Sequence, residues 1–169
     1  MDPEPRFEQL YRSYADRVHA YARRRSDAAT ADDVVAEVFL VVWRRLNQVP
    51  EEPFPWLLAV ARRVLANRRR AEGRAAALRD RLAGAGPVSG GPVAAGDERV
   101  LRALAGLGDR DRELLLLIAW EGLDEPEVAE ALGLRVNTVA VRLHRARRRF
   151  AEALAAQDAD VLTPMEVRR

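Results

Sequence analysis

Residues 124–149, DEPEVAEALGLRVNTVAVRLHRARRR, hold two helical patterns separated by one glycine. Asp124 with Glu127 three residues later is a capping box, and it predicts a short helix to Leu132. Gly133 stands where a left-handed turn residue is wanted, and a last helix runs from near Val136 past Phe150. The small Ala129 lets the two helices approach, Gly133 makes the turn, and Val139 seats the second helix on the first. That is the spacing of a helix-turn-helix. The second helix would enter a major groove by its first turn, presenting Arg135, Asn137, Thr138 and Arg142. Asparagine and arginine can pair with adenine and guanine edges. Arg145, Arg147, Arg148 and Arg149 suit phosphates. A plain helical hairpin would show the same apolar pattern. The absence of any acid between Glu130 and Glu152, where six arginines stand, favours nucleic acid.

Upstream of this segment, Glu98–Leu107 reads as a helix ended by Gly106 and Gly108. Asp109 caps another that carries Leu114, Leu115, Leu117, Ile118 and Trp120 and stops at Gly122. Residues 97–155 are thus a four-helix domain, and residues 156–169 are a tail without strong pattern. Residues 73–96 differ in character. Their first half can prolong a helix through Leu82, and their second half, GAGPVSGGPVAAG, reads as a flexible linker.

Residues 1–72 read as three helices. Phe7, Leu10, Tyr11, Tyr14, Val18 and Tyr21 recur at three- and four-residue steps, and Ser26–Thr30 breaks the pattern. Thr30 with Asp33 looks like a capping box opening a second helix to about Leu46. Val34, Val35, Val38, Phe39, Val41, Val42 and Trp43 make that helix apolar on more than one face, so it is central or keeps a face for a partner. Asn47–Pro55, with Pro50, Pro53 and Pro55, predicts an ordered, extended loop. A third helix from near Pro55 or Trp56 buries Leu57, Val60, Ala61, Val64 and Leu65. It then meets Arg62, Arg63, Arg68, Arg69 and Arg70, a second acid-free cluster, between Glu52 and Glu72. That cluster suits either a helix C-terminus or a nucleic acid. Trp43 and Trp56 are expected in the core. Asp32, Asp33 and Glu37 suit a helix N-terminus, and no histidine or fourth ligand in the neighbouring sequence completes a metal site.

The 169 residues are 49% hydrophobic and 32% charged, enough apolar material for a core and too much for a disordered chain. All 28 cationic residues are arginine, and their clustering outweighs the net charge of +2 as evidence. No cysteine is present, which excludes disulfides, thiol nucleophiles and iron–sulfur clusters. The two histidines, His19 and His144, are far apart in sequence. No signal peptide, membrane span, phosphate-binding loop or nucleophile–base pair stands out, so a cytoplasmic, non-catalytic protein without cofactor is expected.

The order LYRSY, ADDVVAEVFLVVWRRL, PWLLAVARRVLANRRR, a linker and RDRELLLLIAWEGLDEPEVAEALGLRVNTVAVRLHRAR resembles RNA polymerase sigma factors of the small extracytoplasmic-function (ECF) group, over about Phe7 to Leu154. The resemblance implies an all-α chain, with promoter-melting domain two at residues 1–72 and helix-turn-helix domain four at residues 97–155. It implies that Asp32, Asp33, Val34, Glu37 and Phe39 dock on the clamp helices of the polymerase's largest subunit, with domain four meeting the flap. The Asn47–Pro55 loop would hold a flipped-out base of the −10 element, with Asn47, Trp56, Arg62, Arg63, Asn67 and Arg68 on DNA. Arg135 and the residues grouped with it above would read the −35 element. An anti-sigma factor would cover the apolar surface from Val34 to Trp43. Membrane insertion is not implied. Arg135 and Asn137 replace a small hydroxyl residue and a glycine, and Ala140 and Val141 replace polar or basic residues. Arg63 and Asn67 stand where Asn and Asp are more usual. Promoter contacts should differ accordingly.

A stand-alone helix-turn-helix regulator with an N-terminal sensing or dimerisation lobe is the alternative. It has no need of the second arginine cluster behind a proline-rich loop. A helical adaptor without a DNA role has no need of the acid-free arginine run from Arg142 to Arg149.

Overall fold

The computed structural model describes residues 3–80 and 98–162, with side chains at 3–74 and 98–157. Seven α-helices account for most of them, and no strand occurs among the described residues. The chain divides into two compact units, Met1–Pro92 and Val93–Arg169.

In the first unit, α1 is Pro3–Arg23, α2 is Ala28–Arg44 and α3 is Pro53–Asp80, with a 3-10 turn at Leu46–Gln48. Each of the three helices packs on the other two. Val18 and Tyr21 of α1, Val34, Val38 and Val42 of α2, and Leu57 and Leu58 of α3 are the largest fully buried side chains. Burying each aliphatic one contributes about 1.5–3 kcal/mol.

Three local expectations are corrected here. The N-cap of α2 is Asp27, whose carboxylate accepts the Thr30 N–H at 2.8 Å. Thr30 is therefore inside the helix, because the carboxylate three residues earlier already satisfies its N–H. The Asn47–Pro55 segment is extended only in part. Asn47 and Gln48 belong to the 3-10 turn, and α3 opens on Pro53. Prolines are tolerated there because a first-turn N–H has no partner within the helix. Trp43 is exposed, not core, and Trp56 is half-buried.

In the second unit, α4 is Glu98–Ala105, α5 is Asp109–Ala119, α6 is Glu125–Leu132 and α7 is Val136–Leu162. Helix α7 packs against the other three. Leu104, Leu107 and Leu116 form one cluster with Val100, Leu115 and Phe150 against it, and Leu114, Leu117, Val128, Val139 and Leu143 are also buried. The N-cap of α5 is Gly108 and not Asp109, which makes no side-chain cap and sits in the first turn. Arg112 closes the preceding helix instead. Its guanidinium donates to the carbonyls of Leu104, Ala105 and Leu107, each at 2.8 Å, supplying partners for carbonyls the helix end leaves open. Helix α7 continues through the start of the expected tail to Leu162. The Gln157 amide, oriented to satisfy both its groups, donates to the Arg99 carbonyl at 3.1 Å and accepts from the Ala103 N–H at 3.0 Å. Residues 73–80 continue α3, and the remainder of the expected linker, with Leu82, lies outside the described residues.

Candidate functional site

The helix-turn-helix is built as its spacing predicts. Asp124 accepts the Glu127 N–H and the Glu127 carboxylate accepts the Asp124 N–H, both at 2.8 Å, so the capping box is complete. Gly133 is left-handed, at φ 64° and ψ 40°. It lets the Leu134 N–H fold back to the Ala129 carbonyl at 2.8 Å. Ala129 and Val139 are buried where the two helices meet, and α6 packs on α7. Val139, Leu143 and Ala146 turn one face of α7 inward. Arg135, Asn137, Arg142, Arg145, Arg147, Arg148 and Arg149 are exposed, and Thr138 is half-buried.

Among the described residues, two of these arginines have intramolecular partners. Arg149 donates to Asp111 of α5 at 2.5 Å, and Arg148 lies 3.4 Å from Glu152 one turn further along α7. The first-turn set and Arg145 and Arg147 form the open basic surface, with the electrostatic sign a polyanion requires.

In the first unit the structure joins residues expected to serve different partners. Arg68 donates from Nη1 to Asp33 at 2.9 Å and from Nε to Glu37 at 3.0 Å, with a second bond from Nη2 to Glu37. The Glu37 carboxylate holds the guanidinium above its ordinary pKa, with burial opposing and Asp33 assisting. Asp32 accepts a 3.0 Å contact from His19 Nε2. Arg69 donates to the Arg25 carbonyl at 3.1 Å, just past the end of α1, and Arg70 donates to Asn67 at 2.5 Å. Arg62 and Arg63 are exposed.

Val34 and Phe39 are corrected as partner-facing residues, being 0% and 3% exposed inside the helical core. A continuous apolar run cannot distinguish the inner face of a helix from the outer. The outward apolar positions of α2 are Leu40 and Trp43, joined by Tyr11 of α1. Phe7 meets Trp43 edge-on, with ring centroids 5.2 Å apart, and Tyr11 meets Phe39 at 4.8 Å. Asn47 lines a cleft with Pro3, Trp43, Arg44, Arg45, Leu46 and Gln48; Trp56 is not among its lining residues. The sequence signal for this aromatic corner is the four-residue step from Phe7 to Tyr11, which suits an inward face equally well.

No group of three or more His, Cys, Asp or Glu residues suited to a metal ion occurs among the described residues, and no described helix is long and apolar enough to cross a membrane.

Residues 10–75 match Sigma-70 region 2, and residues 97–150 match Sigma-70, region 4. The ECF RNA polymerase sigma factor SigK of Mycobacterium ulcerans is 32% identical over 162 residues, covering 89% of this chain and 86% of the relative. Among solved structures, CnrH in complex with the cytosolic domain of CnrY aligns with a TM-score of 0.58 at 29% identity, over 89% of this chain and 88% of that one. The sigma factor RpoE in complex with the anti-sigma factor NepR from Bartonella quintana shares the fold, with a TM-score of 0.66 at 23% identity, over 88% and 96% of the two chains. Nothing in these likenesses favours the stand-alone regulator. With both sigma-70 regions in order on this all-helical fold, and a relative similar along nearly its whole length, the chain belongs to the ECF RNA polymerase sigma factors, which recognise promoters in transcription initiation.

Proposed function

We propose that the two units divide promoter recognition between them. The second unit reads the −35 element through the first turn of α7, with Arg135, Asn137, Thr138 and Arg142 toward bases and Arg145 and Arg147 toward phosphates. The first unit docks on the clamp helices of core RNA polymerase through the outward face of α2, where Asp32, Asp33, Glu37, Leu40 and Trp43 are accessible. Arg62, Arg63 and Asn67, with Asn47 and Trp56, engage the −10 element and assist melting. The completed helix-turn-helix with its acid-free basic face carries this reading.

An anti-sigma factor is the second partner. The CnrH and RpoE structures are complexes with CnrY and NepR. In this chain the exposed apolar pair Leu40 and Trp43 offers a protein partner an apolar surface.

Gel filtration of the purified chain with bacterial core RNA polymerase, without DNA, is the test. A one-to-one complex is expected. Failure to bind polymerase, with tight binding to duplex DNA alone, would overturn the reading.

A further inference from the structure

The surface of α7 is not uniformly polar. At about 100° per residue, its line farthest from Val139, Leu143 and Ala146 runs through Asn137, Val141 and Arg148, with His144 and Arg145 flanking it. Val141 is 52% exposed and Val136, which opens the helix, is 43% exposed. Neither valine is placed there by packing. Helix propensity does not favour them either, since valine is a poorer helix former than alanine or arginine.

What surrounds Val141 identifies its occupant. Asn137 precedes it by one turn, Arg142 follows it directly and Arg145 follows by one turn. No acid lies between Glu130 and Glu152, so the face has the charge that duplex DNA needs. A valine can neither donate nor accept a hydrogen bond. The feature of a major groove that an apolar side chain can read is the C5-methyl of thymine.

We propose that Val141 is a specificity-determining residue that packs on a thymine methyl in the upstream promoter element. This rests on the promoter-reading role of the second unit and adds the base feature it reads. One helical turn rises by roughly 5.4 Å, so the thymine lies within about two base-pair steps of the base that Asn137 meets. Arginine or another polar residue at position 141 would instead select by hydrogen bonding, and valine exchanges that for methyl recognition.

The experiment uses holoenzyme assembled from bacterial core polymerase and the full chain. A duplex library randomised over the upstream element is selected for binding, and the winning duplex is then remade with deoxyuridine in place of each thymine. Deoxyuridine keeps every hydrogen-bonding group and removes only the methyl. Thymine should be enriched at one position or more, and its replacement should weaken binding about three- to tenfold. In Val141→Ala holoenzyme, whose shorter side chain reaches the methyl less well, that ratio should fall, and Val141→Ile should keep it. The site is exposed and alanine is the better helix former, so folding does not confound the comparison. A ratio near one in the parent, or one unchanged by Val141→Ala, overturns the inference while leaving the promoter reading standing. Loss of core polymerase binding in Val141→Ala would assign this face to a protein partner and overturn it too. Assembled holoenzyme that enriches no sequence would overturn the promoter reading and the inference together.

Discussion

Arg68 of α3 clasps Glu37 of α2 through two nitrogens of one guanidinium, Nε at 3.0 Å and Nη2 beside it, while its third nitrogen reaches Asp33 at 2.9 Å. The acids stand four residues apart on one face of α2, so a planar guanidinium can satisfy both. A residue assigned to DNA and two assigned to polymerase are thereby one cluster. Whatever engages the acids competes with Arg68, and whatever draws Arg68 away frees the acids.

Removing the clasp should cost little stability. All three side chains remain accessible to solvent, and ion pairs of that kind contribute about 0–1 kcal/mol. Arg68→Ala is expected to destabilise the first unit by about 1 kcal/mol or less, with the loss shrinking as salt rises toward about 0.5 M. Thermal unfolding at low and high salt measures it. A loss independent of salt would show that the side chain acts by packing alone.

Reversing both acids to arginine would crowd three cations together and confuse a binding defect with a folding one. Asp33→Asn with Glu37→Gln is the cleaner pair. It should weaken co-purification with core polymerase at least tenfold, whereas Arg68→Ala, which breaks the same internal ion pairs but keeps the acids, should not. Equal behaviour of the two variants would make the acids structural only.

Most of the architecture is legible in periodicity and punctuation. The Asp124–Glu127 capping box and the left-handed Gly133 are local chemistry, decided within a few residues, and both stand as expected. The start of α2 is ambiguous in sequence because Asp27 and Thr30 are both capping residues, and only the backbone shows which carboxylate or hydroxyl is outside the helix. Arg112, Arg69 and Arg68 bind groups up to 44 residues away, a distance no spacing rule covers. The orientation of α2 is hidden by its composition. With apolar residues most of the way round, only the packing of α1 and α3 decides that Val34 faces in and Leu40 faces out.

Asp27 gives the first unit a pH-dependent anchor. The Thr30 backbone N–H holds its carboxyl below the ordinary value of 3.8, with the Thr30 hydroxyl assisting. The folded value lies below the unfolded one, so its stabilisation is present above that ordinary value and is lost as pH falls through the depressed one. Asp27→Ala should lower the melting temperature at neutral pH. Its deficit should narrow progressively as the medium is acidified below the ordinary aspartate range, as circular dichroism would record. A constant deficit across that range would remove the carboxylate from the explanation.

Gly133 should tolerate substitution by volume but not by backbone. A Cβ there meets nothing within 4 Å, yet φ is +64°. Gly133→Ala is expected to destabilise the second unit by about 1–2 kcal/mol, and Gly133→Asn by less, since asparagine enters the left-handed region more readily. Equilibrium denaturation of the two variants tests the order. If alanine were the milder change, backbone strain could not be the cause.

Arg142 separates phosphate binding from base reading on α7. It is exposed, follows Val141, and lies to one side of the outward line through Asn137 and Arg148. A flanking guanidinium of that kind meets a strand's backbone as readily as a base edge, and salt distinguishes the two. Freeing one phosphate from its arginine reduces the slope of log affinity against log salt by about 0.9, whereas removing a base-edge hydrogen bond changes sequence preference. Arg142→Ala holoenzyme should bind its promoter more weakly, with relaxed preference at one base pair of the upstream element and a slope little changed. A slope shallower by about 0.9, on matched and mismatched upstream elements alike, would move Arg142 from the bases to the phosphates. Unchanged affinity and footprint over the upstream element would remove it from the interface.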